Sequence, residues 1–325
     1  MIKQGCGALA LAIGASARRR AIRLSGISTR PIRPRWWTRA ACICTWATTR
    51  PAMGKDYVMN EWLVYSSCDM VRWTAHGSPL RYSTFAWAGR DAWAGDIVKR
   101  DGKYYFYATV DHKSVPGKAI GVAVSDSPTG PFTDARGTAL VTNDMTKQTD
   151  IMWDDIDPGV FIDDDGQAWL YWGNTVLKYA RLKPNMTELD GPIMSHQLAS
   201  FTEAPYVHRR GKTYYLSYSL LPGGDRVRHR RKSGRAVDLP RRDHEKNHGV
   251  KTIHQAIIDF NGKSYIFYHN AKLPGGAEFR RSVAVEELHY ARWPHSAGAP
   301  ERGRPGRQSQ RCLQVISESI FSMQL

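Results

Sequence analysis

The sequence predicts an all-β fold built as a β-propeller, and three observations lead to this prediction. A short motif recurs four times, and each copy joins two apolar or aromatic runs through a turn glycine. The turn glycines lie 45 to 64 residues apart, a spacing typical of propeller blades. Extended helical periodicity is absent. Each copy is therefore predicted to be a β-hairpin belonging to one four-stranded blade.

The repeated motif begins at Asp101, Asp165, Arg210 and Asn261, where the chain reads DGKYYFYATV, DGQAWLYWGN, RGKTYYLSYS and NGKSYIFYHN. The shorter runs DIVKR, GVFID, YVHRR and AIIDF precede these copies. Tyr, Trp and Phe are enriched in strands that pack on both faces. A second recurrent piece, VAVSDSPTGPF from Val122, resembles VYSSCDMVRW from Val64. Both pieces predict an outer strand, a polar turn and a closing aromatic residue.

The basic charge of the chain is concentrated outside the repeats. The formal net charge is +16, but residues 1–55, 225–251 and 291–311 hold 26 of the 46 Lys and Arg and only 5 of the 30 Asp and Glu. The rest of the chain therefore carries a net charge of −5. A nucleic-acid-binding protein would carry its basic residues on the patterned core, so no nucleic acid is predicted as a partner. No uncharged apolar run reaches the roughly 18 residues of a membrane-spanning helix, so no membrane partner is predicted.

The N-terminus predicts a secreted or periplasmic protein. Residues 1–17 resemble a signal peptide, because Lys3 precedes an apolar run from Gly5 to Ala17 that ends in Ala-Ser-Ala. The alternative is an N-terminal segment without function. The five cysteines form neither a disulfide framework nor a zinc-binding spacing.

Four residues are predicted to converge on one pocket. The first strand of each propeller blade lines the central channel, and the positions eight or nine residues before the turn glycines are Trp93, Asp157, Glu203 and His254. An aromatic ring, two carboxylates and an imidazole suit a sugar-cleaving site. Structural interpretations stay open at this point: Asp157 as a turn cap, Glu203 as an exposed strand-start charge, and the other two as core residues.

Five longer segments closely resemble glycoside hydrolase family 43 over roughly Tyr57 to Tyr290, with one gap. They are DIDPGVFIDDDGQAWLYWG, FTEAPYVHRRGKTYYLSYS, DAWAGDIVKRDGKYYFY, GKAIGVAVSDSPTGPF and IHQAIIDFNGKSYIFYHN. The resemblance implies a five-bladed β-propeller that hydrolyses O-glycosyl bonds with inversion. It also implies arabinose- or xylose-containing plant polysaccharides or oligosaccharides as substrates. Exo-acting α-L-arabinofuranosidase or β-xylosidase activity is favoured over endo-arabinanase activity.

The resemblance also implies roles for single residues. Glu203 matches the catalytic general acid. Asp157 matches the pKa modulator, a carboxylate that orients the general acid and keeps it protonated. The physical reason is that two like charges placed close together disfavour ionisation. His254 matches a histidine on the channel floor, near water or a structural calcium ion, and Arg280 matches an arginine that contacts the site. Trp93 is expected to bind the sugar, although Trp93, His254 and Arg280 also have structural interpretations; no cofactor is required.

The general base of the family is missing from the sequence. It belongs to an A-D-P motif near the start of the first blade, but no acid precedes Asp56. Back-translation of Thr29–Pro51 with chosen GC-rich codons, read one base out of register, yields TADPAPVVDAGRLYLYVGHDEA, which contains the motif and a fifth repeat. The same procedure gives IAYATAESPDGPWTYRGVIM for Asp225–His244 and DGRIRPV from Arg292. Our hypothesis is that frameshifts replaced these three segments.

The predicted organisation has four parts. A signal peptide at 1–17 precedes an aberrant Arg-rich segment at 18–55, which replaces strands of the first blade. The propeller catalytic domain covers 56–290, with an aberrant stretch at 225–244 in a later blade, and an aberrant tail occupies 291–325. The predicted function is a glycoside hydrolase with a carbohydrate substrate, impaired as written because the base is absent. The alternative is a catalytically dead sugar-binding propeller; the oligomeric state is not predicted.

Overall fold

The computed structural model describes residues 57–147, 149–220 and 249–290 and the backbone of five strands outside these ranges. Strands dominate this part of the chain. Its only helices are two single turns of 3₁₀-helix, Tyr82–Thr84 and Asn143–Met145. The prediction of an all-β fold is confirmed. Across the described residues, no helix has the length and apolar character needed to cross a membrane.

The described strands are, in chain order, β1 (Arg20–Ala21), β2 (Cys42–Ala47), β3 (Glu61–Ser67), β4 (Thr74–Ala75), β5 (Leu80–Arg81), β6 (Ala88–Arg90), β7 (Gly95–Arg100), β8 (Lys103–His112), β9 (Lys118–Ser125), β10 (Thr133–Asp134), β11 (Gly159–Ile162), β12 (Ala168–Trp172), β13 (Leu177–Leu182), β14 (Met194–His196), β15 (Glu203–Arg210), β16 (Thr213–Leu220), β17 (Gly224–Arg231), β18 (Ala236–Asp238), β19 (Ala256–Phe260), β20 (Lys263–Asn270), β21 (Ser282–Leu288) and β22 (Ile320–Gln324).

These strands form five sheets, which we name blades I to V. Blade I has the order β22-β2-β3-β4, with β5 also paired to β3. Blade II contains β6 to β10, blade III runs from β11 to β14, and blade IV runs from β15 to β18. Blade V has the order β19-β20-β21-β1. All pairings are antiparallel except that of β2 with β22, which is parallel. Five sheets of four or five strands agree with the predicted five-bladed propeller.

Apolar side chains join each blade to the next. The cluster between blades I and II includes Trp62 and Phe106, and the one between blades II and III includes Tyr107 and Trp172. Two further clusters join blades III to IV and IV to V. A fifth places Tyr65 of blade I against blade V. The blades therefore follow one another around a ring, and the core lies between the sheets.

The predicted hairpins are confirmed at the turn glycines. Asp101 and Gly102 connect β7 to β8 with φ of 50° and 79°, and Asn261 and Gly262 connect β19 to β20 with φ of 49° and 75°. Two left-handed residues in succession form a type I′ turn, which matches the twist of antiparallel strands. Asp and Asn tolerate this conformation better than most residues, and glycine adopts it without steric cost.

Three strands of the sheets lie outside the predicted propeller boundaries of 56–290. β1 and β2 lie in the Arg-rich segment 18–55 and pair with blades V and I, while β22 lies in the tail and pairs with β2. In the stretch 225–244, β17 and β18 complete blade IV. The predicted signal peptide at 1–17 lies outside the described residues. A frameshift origin for these segments stays a prediction.

A buried carboxylate connects blades II and III. Asp96 on β7 accepts a hydrogen bond from the backbone N–H of Val160 on β11, at 2.8 Å, and another from the N–H of Ile97. Burial raises the pKa of Asp96 to about 7, and the two hydrogen bonds oppose this shift only in part. The folded protein therefore holds a proton on Asp96 at pH values where the unfolded chain has released it.

We expect Asp96 to make stability fall as pH rises from about 4 to about 7. Between the unfolded pKa of about 3.9 and the raised folded pKa, the native state binds the extra proton, so the free energy of unfolding decreases by at most about 1.4 kcal/mol per pH unit. Urea unfolding of the wild type and Asp96→Asn at several pH values in this window measures the difference. The exposed turn variant Asp101→Asn is the control and should follow the wild type. Equal pH dependence of all three proteins would contradict the prediction.

Candidate active site

Four of the predicted site residues lie where the chain enters the first strand of a repeated hairpin, each in a different blade. Trp93 stands two residues before β7, Asp157 two residues before β11, and His254 two residues before β19. Glu203 is the first residue of β15. Repeat-equivalent positions therefore converge at the centre of the ring.

Backbone geometry at these entries is unusual. Asp157 and His254 have φ of 61° and 45°, and Ala204, which follows Glu203, has φ of 58°. Residues other than glycine seldom adopt the left-handed region, and each such residue costs about 1–3 kcal/mol unless its surroundings compensate. The pairing of β15 with β16 also shifts register between Glu203 and Tyr206. These features turn the acidic side chains away from the regular alternation of the strands.

A pocket of roughly 900 Å³ opens beside these residues. Its lining includes Trp93, Glu203, Tyr57, Ile156 and Phe279. Glu203 is half-buried and reaches the pocket, whereas Asp157 and His254 are buried and do not line it. The structure thus places one predicted acid in contact with the pocket and the other below its surface. The volume falls in the range of ligand pockets that enclose a small molecule.

The charge of Glu203 acts on the buried Asp157. Burial, together with the charge of Glu203, raises the pKa of Asp157 well above its usual range, while the nearby Ala204 N–H and the charge of Arg281 oppose this shift. A proton on Glu203 is implied by the resemblance and stays a prediction. Asp157 is the more deeply buried of the pair, so its carboxyl keeps a proton to higher pH than an exposed aspartate does.

Asn174 is a site residue that the sequence argument missed. Its side-chain amide donates to Oε2 of Glu203 at 3.1 Å, and its backbone N–H donates to the carbonyl of Asp154. Asn174 is the last residue of the repeat copy DGQAWLYWGN, just after β12, and this position could have identified it as a site candidate. The amide leaves Oε1 of Glu203 as the oxygen without this contact.

His254 lies beside Asp157, with 3.6 Å between Nδ1 and the Asp157 Oδ2 atom. Burial and the charge of Arg281 lower the pKa of His254 to about 3, so the imidazole is neutral. The ring centroid of the buried His269 lies 5.9 Å away, and among the described residues neither of its ring nitrogens has a hydrogen-bond partner. One carboxylate and two imidazoles do not form the oxygen-rich cage that calcium prefers, and across the described residues no three His, Cys, Asp or Glu side chains group together as metal ligands. Calcium near His254 stays a prediction from the resemblance, and no step is derived through it.

The prediction for Arg280 requires a correction. Arg280 is exposed and lies in a tight turn, where its backbone bonds to Ala277 in both directions. The next residue, Arg281, is the one that turns inward: it is buried and bonds to Tyr57 and Glu278. Successive side chains along an extended segment point in opposite directions, so a shift of one residue exchanges the exposed arginine for the buried one. Arg281 also acts electrostatically on Asp157.

A buried ion cluster holds the loop that delivers Asp157. The ammonium group of Lys178 on β13 lies 2.6 Å from Asp154 and 3.1 Å from Asp155, and all three side chains are almost completely inaccessible. Trp172 and Thr146 donate hydrogen bonds to Asp155. Because Asp154 and Asp155 stand directly before Ile156 and Asp157 in the chain, this cluster fixes the segment that carries the buried acid.

The segment expected to carry a general base, around Pro31, Ile32 and Arg33, lies outside the described residues. Glu61, an acid of blade I, does not replace the base: it is ion-paired with Arg81 at 2.5 Å and does not line the pocket.

Comparison with known proteins identifies close relatives of the chain. The model of glycosyl hydrolases family 43 matches residues 44–294. The arabinoxylan arabinofuranohydrolase of Bacillus subtilis is 30% identical over 280 residues, covering 74% of this chain and 53% of that enzyme. The xylosidase/arabinosidase of Bacteroides ovatus is 30% identical over 286 residues, covering 73% of this chain and 82% of that enzyme. The chain therefore spans about half the length of the first relative and most of the second.

Solved structures agree with the fold. A family 43 β-xylosidase/α-arabinofuranosidase from a compost microbial metagenome, crystallised with xylotriose in a calcium-free form, matches with a TM-score of 0.63 and 28% identity. The match covers 75% of this chain and 84% of that one.

We expect Lys178→Met to lower the free energy of unfolding by about 3–5 kcal/mol, because it leaves two buried carboxylates without a cation. Lys183→Met is the matched control on the same blade: Lys183 is partly exposed and paired with Glu188, so its loss should cost about 1 kcal/mol or less. Urea unfolding of both variants tests the prediction. A similar loss in the two proteins would show that the buried cluster does not hold the loop.

Proposed function

Because the chain belongs to family 43 of the glycosyl hydrolases, we propose that it hydrolyses arabinose- or xylose-containing plant polysaccharides or oligosaccharides with inversion. In this proposal Glu203 is the general acid and Asp157 is the carboxylate that positions it and sets its protonation. The observation that carries the proposal is the pairing of Glu203, which lines the pocket, with the buried Asp157 beside it.

Inverting hydrolysis requires an acid that protonates the leaving oxygen and a base that activates water on the opposite face of the sugar. Glu203 reaches the pocket with one oxygen held by Asn174, so its other oxygen is available to the leaving group. The pair of acids with Arg281 nearby allows a proton to reside on one carboxylate while the other is ionised. The relatives named as arabinofuranohydrolase and xylosidase/arabinosidase support pentosides as substrates, and we favour exo-acting cleavage.

The general base is the missing component of this mechanism. Among the described residues, the other acids that line the pocket are Asp91 and Asp111, and both are ion-paired with Lys118. Lys118 binds one oxygen of each carboxylate, and we assign neither of them as the base. We therefore propose that the chain as written is impaired in turnover, while sugar binding by its pocket is retained. A sugar-binding propeller without turnover is the corresponding second candidate.

We further propose that the protein acts outside the cytoplasm. The signal-peptide pattern of residues 1–17 supports this location. Two relatives in the same comparison are named as extracellular enzymes. Cleavage at the Ala-Ser-Ala site, measured by N-terminal sequencing of the secreted protein, tests it.

In the protein with restored reading frames, Glu203→Gln should reduce turnover most on substrates with poor leaving groups. Such substrates depend on protonation of the leaving oxygen, and loss of a general acid typically costs about 10²–10⁴ in rate. An aryl pentoside with an activated leaving group should recover much of this loss. Comparison of kcat on xylobiose and on an activated aryl xyloside measures the effect, with the exposed Glu188→Gln as control. Equal losses on both substrates would argue against the acid role.

The chain as written should turn over pentosides about 10²–10⁴-fold more slowly than a version in which TADPAPVVDAGRLYLYVGHDEA replaces Thr29–Pro51, because base assistance contributes about that factor. Parallel assays of the two proteins on aryl arabinofuranoside and aryl xyloside provide the measurement. Comparable rates would refute both the missing base and the assignment of the first blade.

A further inference from the structure

Blade II contributes a charged cluster to the pocket that the mechanism above does not use. Lys118 is the first residue of β9, and its side chain is 5% exposed. Its ammonium group lies 2.5 Å from Oδ2 of Asp91 and 2.9 Å from Oδ1 of Asp111. Arg90 bonds to the second oxygen of Asp111 at 2.5 Å. Two cations thus balance two carboxylates, and all four residues line the same pocket as Glu203.

The same ammonium group lies over the ring of Trp93, 3.5 Å from its centroid. A cation in this position is attracted by the negative face of the indole. The backbone of Trp93 is held separately, since its N–H donates to Thr109 and its carbonyl accepts from the indole of Trp62. The indole N–H of Trp93 donates to the carbonyl of Tyr57 at 3.3 Å. The Lys118 ammonium group therefore contacts the ring of Trp93, whose orientation is also fixed by Tyr57.

We propose that Lys118 is a positioning residue for sugar binding: it occupies one face of the Trp93 indole and fixes the ring so that its remaining surface lines the pocket. The inference rests on the proposed function, because it assumes a pentoside in this pocket. A neutral sugar suits the arrangement, since it has no charge to compete with the ion pairs that hold Lys118. Asp91 has φ of 64°, and this left-handed backbone brings its carboxylate to the ammonium group.

The alternative is that Lys118 only stabilises the fold. Its buried ammonium group is paired with two carboxylates, so its replacement has consequences for stability as well. Lys118→Met also leaves Asp91 and Asp111 without the ammonium group, so that Arg90 is the cation that still contacts them among the described residues. The variant Lys118→Met with Asp91→Asn removes one of these charges and provides a second protein with the ammonium group absent.

The test is a double-mutant cycle on binding of xylotriose, measured by titration calorimetry with the full chain. We expect Lys118→Met to weaken binding about tenfold, within the range of a buried cation–π contact. Trp93→Leu should weaken binding at least as much. The double variant Lys118→Met with Trp93→Leu should bind within about twofold of Trp93→Leu alone. Lys118→Met with Asp91→Asn should show the same loss as Lys118→Met while unfolding near the wild-type midpoint. The matched control is Lys103→Met, an exposed lysine of blade II paired with Asp126, which should bind as the wild type does.

Two results would overturn the inference while leaving the proposed function intact. One is wild-type affinity in Lys118→Met. The other is a loss of affinity in Lys118→Met with Trp93→Leu that equals the product of the two single losses. If Lys118→Met does not fold, the same cycle is measured with the charge-balanced variant and judged by the same criteria. Absence of binding by the wild-type chain to both xylotriose and arabinotriose would instead overturn the proposed function, and this inference with it.

Discussion

The burial of charge at the centre of the ring is the constraint on which the site depends. A charged group removed from water is costly unless it is paired and hydrogen-bonded. Lys178 meets this requirement with Asp154 and Asp155, and Arg281 meets it with Glu278. The Lys178 pairs connect a loop to a strand of the propeller, and the Arg281 pair lies within the turn that precedes β21. The loops at the channel are therefore held by electrostatic contacts inside a framework whose apolar packing lies farther out, between the blades.

Asp157 and Glu203 form the exception, because both are acids. Neither oxygen of Asp157 accepts a well-formed hydrogen bond within the described part of the chain, and Glu203 receives one from Asn174. A pair of this kind is unfavourable when both members are ionised, so it binds a proton that isolated carboxylates would release. The acid pair lowers the stability of the fold at this point, and carboxyl groups with such perturbed pKa values are typical of catalytic sites.

Repeat geometry explains why these groups meet. Each blade enters its first strand near the central channel, and left-handed residues at three of these entries turn the chain sharply enough to aim a side chain inward. Four separate hairpins thereby deliver one candidate site residue each. The pocket wall formed by blade II adds an internally neutral cluster around Lys118, which suits an uncharged ligand better than an anionic or cationic one.

The all-β class, the four hairpins and the entry positions Trp93, Asp157, Glu203 and His254 could be predicted from the sequence, because turn glycines and strand composition repeat at a regular spacing. Which of the two adjacent arginines turns inward could not be predicted, since a one-residue shift in an extended segment changes the direction of the side chain. The packing also makes Asp157 the more buried acid, brings Asn174 to Glu203, and brings Lys118 to the pocket. Those contacts join residues that are distant in the chain, so no local sequence pattern predicts them.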